Sequence, residues 1–360
     1  MSSPDFIPGL DLAEQFFNDV VRDLLERRLS GVPYSAALIG YGSEVQGFDT
    51  SRSTDHAWGP RMQVFLRPQD RAAVAAELDA ALERELPVEF RGYPVRFAFP
   101  AGTAARHWVQ LRDESFFTGQ LGVEPTRMAA EDWLAVPTQV LRELTAGRVF
   151  HDELGLLTSA REALAWYPED VWRLVLACQW ARLDQEEPFV GRTGEVGDDL
   201  GSAVIAARQA RDLMKLTLLI NRVYPPYSKW LGTAFAQLPH AKTLTPLLSA
   251  ALAATSWRER ERHLSPAYEL VATMQNDLGL AEPLDTTVQP FWDRPFQVLN
   301  ARRFGEALLP GIQDPTVRDR YPIGAIDQYV DCTDLLDRNA VGLRRHHLSA
   351  PGSGPLLTEL

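Results

Sequence analysis

The hydrophobic periodicity of this chain changes once, and that change limits the folds open to it. In the first hundred residues, helical and strand-like patterns alternate. Leu12, Phe16, Phe17, Val20, Val21, Leu24 and Leu25 recur at helical spacing within Leu10 to Arg28, and Gly31-Val32-Pro33 stops the run. Tyr34 to Ile39 and Arg61 to Leu66 are short apolar runs that read as strands, Gln69 to Leu86 is an amphipathic helix, and Tyr93 to Phe99 alternates as a third strand. The order is therefore α-β-loop-β-α-β. From about Pro137 strand signals almost vanish, and helical patterns follow one another at Glu169 to Leu183, Ser202 to Val223, Thr243 to Ala254 and Ser256 to Leu278. Such a chain is expected to be α+β: an N-terminal α/β domain over residues 1–140, a helical bundle domain over 141–348, and a flexible tail, rich in small residues and Pro, over 349–360. No internal repeat of 20 to 50 residues is visible, which argues against a solenoid.

Charge narrows the partners. Lys and Arg total 36 against 48 Asp and Glu, a formal net charge of −12, so a polynucleotide is not the expected ligand. Cys178 and Cys332 are the only cysteines and lie far apart, a spacing that suggests neither a zinc site nor a disulfide framework. The N-terminus lacks a basic start followed by an apolar core, and no stretch approaches the ~20 apolar residues that span a bilayer. The expectation is a cytoplasmic protein without membrane contact.

The chemistry concentrates between the first two strands, in Gly42-Ser43-Glu44-Val45-Gln46-Gly47-Phe48-Asp49 and Ser53-Thr54-Asp55-His56-Ala57-Trp58-Gly59-Pro60-Arg61. A Gly-Ser pair after a strand lets a ligand approach the backbone and offers amides and a hydroxyl to phosphate oxygens. A carboxylate ahead of the next strand would face those phosphates across a divalent ion. Gly42, Ser43 and Arg61 are thus candidate nucleotide-binding residues, and Asp55 and Asp49 candidate metal ligands. The structural alternatives are a turn role for the two aspartates, packing for His56 and Trp58, and an ion pair for Arg61.

This pattern resembles the DNA polymerase β-like nucleotidyltransferase superfamily, in which a Gly-Ser turn is followed after about ten residues by an acidic residue, a spacer and a second acidic residue. Here 11 residues separate Ser43 from Asp55. More narrowly, Ser53 to Arg61, Phe189 to Thr193, Val196 to Gly201 and Pro226 to Leu231 are similar to the nucleotidyltransferase-like domain of unknown function DUF4037. The resemblance implies a nucleotidyltransferase-type α/β domain followed by a helical domain, with Mg²⁺ as cofactor. The second acidic position, however, falls on Ala57, and Tyr93 to Phe99 offers no third acid.

A second group lies on the Ser202 to Val223 helix, where Arg208, Arg211, Asp212, Lys215 and Arg222 fall within about a third of the circumference. A solvated stripe and a ligand-facing surface are the two readings. Asp198 and Asp199 precede this helix as caps or, for Asp198, as a base. Lys229 sits in the first turn of Pro226 to Phe235, against the dipole preference, where it would meet a triphosphate. Asp327, Asp331 and Asp334 read as surface caps near the end of the folded part, and His346-His347 as incidental.

The resemblance implies an enzyme that transfers a nucleoside monophosphate from a nucleoside triphosphate to a small polar acceptor held between the two domains. Asp55, Asp198 and Asp212 are then the catalytic candidates, and Arg208, Lys215 and Lys229 join Gly42, Ser43 and Arg61 in holding the nucleotide. The alternatives are a non-catalytic nucleotide sensor or protein-interaction module, which Ala57 favours, and reuse of the nucleotide pocket for another activation such as adenylation.

Overall fold

The computed structural model describes residues 5–55, 57–98 and 102–336, Asp55 by its backbone alone. The fold is α+β: a mixed five-stranded sheet with helices, then a mostly helical region. It divides into two units, residues 1–128 with 140–165 and residues 129–139 with 166–360. The expected tail at 349–360 and His346-His347 lie outside the described residues.

In the first unit, α1 (Gly9–Phe16) continues through a π-helical turn, Phe17–Val21, into α2 (Arg22–Leu29). β1 (Ser35–Leu38), β2 (Arg61–Phe65) and α3 (Pro68–Glu85) fall where the periodicity places them. The run from Tyr93 does not form one strand. β3 (Glu89–Phe90) pairs with β4 (Tyr93–Pro94), whereas β5 (Arg96–Phe97) pairs with β6 (Arg106–Arg112). Pro94, lacking an amide, cannot carry a ladder through. After α4 (Ser115–Leu121), α5 (Ala130–Ala135) and α6 (Thr138–Thr145), the chain returns as β7 (Arg148–Asp152) and enters α7 (Leu156–Ala163).

The sheet order is β5-β6-β2-β1-β7. β1 runs antiparallel to β2 (Ala36 opposite Val64) and to β7, and β2 runs parallel to β6 (Gln63 opposite Gln110). Phe16, Phe17, Leu24 and Leu25 of the first helical segment pack with Ala36, Met62 and Val64 of the sheet and Leu78 and Leu82 of α3. Each such side chain contributes ~1.5–3 kcal/mol on full burial. Because β1 and β2 are antiparallel neighbours, the segment joining them leaves and re-enters the sheet at one end of its central strand pair. Gly42, Ser43, Asp49 and Asp55 all belong to that segment.

The second unit is built on α8 (Glu169–Glu186), α9 (Phe189–Glu195), α10 (Asp199–Ile220), α11 (Ser228–Ala236), α12 (Ala241–Ala253), α13 (Trp257–Asp277), α14 (Arg302–Glu306) and α15 (Pro315–Arg318). α8 is apolar around most of its circumference and is accordingly central. Trp180 stacks on Phe304 at 4.9 Å between ring centroids, and Trp172 Nε1 donates to Leu219 O at 2.9 Å. Gly305 permits this approach, since a Cβ there would stand 2.6 Å from Ala177 O. Both cysteines are free, Cys178 buried and Cys332 exposed. Among the described residues no helix is long and apolar enough to cross a membrane.

Candidate functional site

The β1–β2 segment begins as a tight turn. Gly40 and Gly42 have φ of +87° and +134°, in the region that favours glycine. At Gly42 the missing Cβ has a second cause: it would stand 2.3 Å from Arg61 Nη2 and 2.6 Å from Glu44 Oε2. Arg61, at the first position of β2, is 2% exposed and donates through Nε to Glu44 Oε1 at 2.7 Å and through Nη2 to Tyr41 O at 2.6 Å. Glu44 is also 2% exposed. The glycine thus makes room for a buried ion pair, and the Arg61 guanidinium ties the turn to the strand.

Asp49 is engaged as well. Its Oδ2 accepts from Gly9 N at 2.7 Å, at the start of α1, and from Trp58 Nε1 at 3.0 Å. Trp58 itself packs with Leu12 and Tyr93. Gly42 and Ser43 differ from these side chains. Ser43 O accepts from Phe48 N, but among the described residues neither the Gly42 and Ser43 amides nor the Ser43 hydroxyl donates a hydrogen bond. Three donors therefore remain on a half-buried turn at the end of β1.

Asp55 closes a short 3₁₀ helix, Ser51–Asp55, ahead of β2; its side chain and His56 lie outside the described residues. Ala57 has φ +50°, and β2 starts only at Arg61. Residues 55 and 57 are therefore not alternate positions of one strand, and the same-face relation of an extended chain does not apply to them. The strand beside β2 is β6, Arg-His-Trp-Val-Gln-Leu-Arg, which supplies no carboxylate. Asp113, just beyond it, accepts from Ser115 N and from Arg71. Among the described residues no three His, Cys, Asp or Glu side chains gather as a metal site. With Glu44 and Asp49 held by protein donors, the described residues do not fit the carboxylate trio through which Mg²⁺ would be bound.

In the second unit, Asp198 is the N-cap of α10, its Oδ1 accepting from Gly201 N at 2.7 Å. Arg208 pairs with Glu186 at 2.7 Å, and this hydrogen-bonded partner raises its pKa. Arg222 lies past the end of α10, with φ +54° and its guanidinium 4.3 Å from the Trp172 ring centroid, so it does not share the helix face with Arg208. Lys229 is exposed in the first turn of α11, 4.7 Å from the Trp230 ring centroid.

Asp212 and Lys215 face inward. Asp212 is 2% exposed, with Oδ2 3.5 Å from Arg182 Nη2 and Oδ1 3.7 Å from Arg211 Nε. The second separation exceeds a hydrogen bond and leaves both of those atoms without a hydrogen-bond partner. Lys215 and Arg211 line a recess of about 60 Å³ with Thr138, Tyr167, Ser228 and Asp327. The sequence reading missed Thr138 and Tyr167 and placed Asp327 on the surface. Instead, the Asp327 carboxylate accepts from Thr138 N at 3.0 Å and Thr138 Oγ1 at 3.1 Å. Burial raises its pKa, against the pull of Lys215 and those hydrogen bonds. Gln328, 5% exposed, donates to Val175 O and pins the segment against α8. The apolar pair Ala325-Ile326 was the one signal in the sequence that this stretch turns inward; both residues are buried.

No match is found among curated proteins. A solved structure similar to this chain is the crystal structure of a nucleotidyltransferase-like protein from Exiguobacterium sibiricum 255-15, 13% identical, aligned over 74% of this chain and 77% of that one with a TM-score of 0.34. The family match is confined to residues 133–231, which include the Phe189, Val196 and Pro226 segments of the expected resemblance and leave out Ser53 to Arg61. Over those residues the chain matches the family described as a domain of unknown function (DUF4037).

Proposed function

We propose that this chain is a nucleotide-binding protein of the nucleotidyltransferase type, acting as a nucleotide sensor or protein-interaction module, with the phosphates received at the Gly42–Ser43 turn. One observation carries this reading: the turn keeps two amides and a hydroxyl undonated while the neighbouring charged groups, Glu44, Arg61 and Asp49, are all held by the protein. Neutral backbone donors in a glycine turn suit phosphate oxygens. Among the described residues, the carboxylates that would hold paired ions are taken up or absent, which favours binding over transfer.

A second reading, transfer of a nucleoside monophosphate to a small polar acceptor, is favoured by Asp55, which follows Ser43 in the segment joining β1 to β2. Of the two candidate bases, Asp198 caps a helix, whereas Asp212 keeps one buried oxygen without a hydrogen-bond partner, which favours Asp212. Calorimetric titration of the full chain with nucleoside triphosphate, with and without Mg²⁺, separates the readings. The module reading expects binding that survives removal of Mg²⁺ and survives Asp55→Asn, but weakens at least tenfold in Gly42→Val, which closes the turn. Release of pyrophosphate with a candidate acceptor, lost in Asp55→Asn, would establish the transferase instead. Wild-type protein that binds no triphosphate would end both.

A further inference from the structure

The recess beside α10 holds more hydrogen-bond donors than its own residues accept. Lys215 Nζ carries three protons and makes one long contact, 3.4 Å to the backbone oxygen of Asp327. Among the described residues no carboxylate lies within ion-pair distance of it. Tyr167 is 4% exposed and its hydroxyl has no hydrogen-bond partner. Its ring is fixed edge-on against Trp133, Trp166 and Tyr224, with centroids 5.2 to 5.6 Å away, so the hydroxyl is not free to swing out. Arg211 has Nη1 on Asp331 at 2.8 Å and Nε without a hydrogen-bond partner.

Two of the three nearby carboxylates already accept hydrogen bonds, and the third, Asp212, keeps Oδ1 without a hydrogen-bond partner. Asp327 accepts from Thr138 N and shares the Thr138 hydroxyl with Pro225 O, and Asp331 accepts from Arg211. Counting Arg182, Arg211 and Lys215 against Asp212, Asp327 and Asp331, the formal charges around the recess cancel. An entering anion therefore meets no net repulsion, and it meets unfilled donors. Leaving such donors buried and unfilled costs ~1–3 kcal/mol each, more for a charged one.

We propose that this recess is a binding site for one small oxyanion group, a carboxylate or a phosphate, held by Lys215 and the Tyr167 hydroxyl. The volume of about 60 Å³ suits a single such group. Burial lowers the Lys215 pKa, against the pull of Asp327 and Asp212. The group comes either from a free small acid or from the phosphate of a nucleotide bound at this recess itself; the second source deepens the nucleotide-binding reading proposed above, and only that source rests on it.

Thermal melting and calorimetry on the full chain with inorganic phosphate, acetate and ATP test the site. Phosphate or acetate should raise the melting temperature of wild type, and Lys215→Met and Tyr167→Phe should each lose at least tenfold in affinity. Tyr167→Phe guards against misfolding of the first variant. A response to ATP alone, lost in Lys215→Met but kept in Gly42→Val, would identify the nucleotide as the source. A response to phosphate or acetate without one to ATP would keep this site and remove the nucleotide reading. No response to any of the three, or equal affinity in wild type and both variants, would overturn the proposal.

Discussion

The β1–β2 loop and the recess beside α10 both bury charge, and they dispose of it in opposite ways. In the loop, Glu44 and Arg61 satisfy one another, Asp49 ties Gly9 to Trp58, and only neutral donors at Gly42 and Ser43 are left over. In the recess, the cation Lys215 has no carboxylate within ion-pair distance, while Asp327 and Asp331 accept from Thr138 and Arg211. A loop whose charges cancel internally is held in one shape by them. A recess with an unmatched ammonium is incomplete until an acceptor arrives. The comparison teaches that residue type is a poor guide to a site: the arginine of the loop motif has its guanidinium engaged by Glu44 and Tyr41, and the lysine of a helix stripe makes one long contact.

The sharpest way to break this comparison is at Arg61. Arg61→Met leaves Glu44 buried without a counter-charge, and removal of one partner from a buried pair costs ~3–5 kcal/mol. Chemical denaturation should show a loss of that size, whereas the double variant Arg61→Met with Glu44→Gln should recover most of it. Comparable stability of the single variant and wild type would mean that Arg61 is not a brace and remains free for phosphate.

Much of this was legible in the sequence, for identifiable reasons. The helix from Gly9 to Leu29, β1, β2, α3 and the long helices of the second unit follow periodicities that depend only on which face is buried. β7, Arg-Val-Phe-His-Asp, has two apolar residues and was invisible, because its place comes from pairing with β1 and not from its own pattern. The candidate site was less legible. A Gly-Ser pair announces a turn, but that an arginine 19 positions later fills the space above its glycine is a tertiary fact. Asp212 and Lys215 were named from a helical stripe, yet what separates them from the exposed Arg208 is the packing of Asp327 and Tyr167, residues far away in sequence.

Glu187 tests whether an unmatched charge is peculiar to the recess. It is 5% exposed at the end of α8 and accepts from Leu299 N at 2.9 Å and Ala301 N at 3.0 Å, so its charge is met by backbone amides. Burial still outweighs those bonds and pushes its carboxyl up to about 7 from 4.5. The folded protein then binds more protons than the unfolded chain between these values. The resulting stability is full below about pH 4.5 and is lost as pH rises through about 7. The span corresponds to about 3 kcal/mol. Glu187→Gln, which keeps an oxygen for one amide, should flatten this part of the stability–pH curve while leaving the response to phosphate and acetate unchanged. An unaltered pH slope would assign the titration to another group.

The smallest effect belongs to Asp198, where a cap and a catalytic base make different demands on the same side chain. Its Oδ1 accepts from Gly201 N at 2.7 Å, and it stands exposed at the N-terminus of α10. A cap needs a short side-chain oxygen, which Asn supplies as well as Asp, whereas a base needs the ionised carboxylate that Asn lacks. Asp198→Ala should therefore cost ~1 kcal/mol in denaturant unfolding. Asp198→Asn should stay within a few tenths of wild type, apart from its share of the dipole interaction, on the order of 0.3–1 kcal/mol and screened by salt. Raising the ionic strength removes that share and leaves the cap alone, so at high salt Asn and Asp should coincide while Ala stays lower. If Asp198→Asn instead matched wild type in stability at every salt concentration but abolished an activity that Asp212→Asn left intact, Asp198 would be the base and the contrast between an engaged helix terminus and an open recess would fail at that residue.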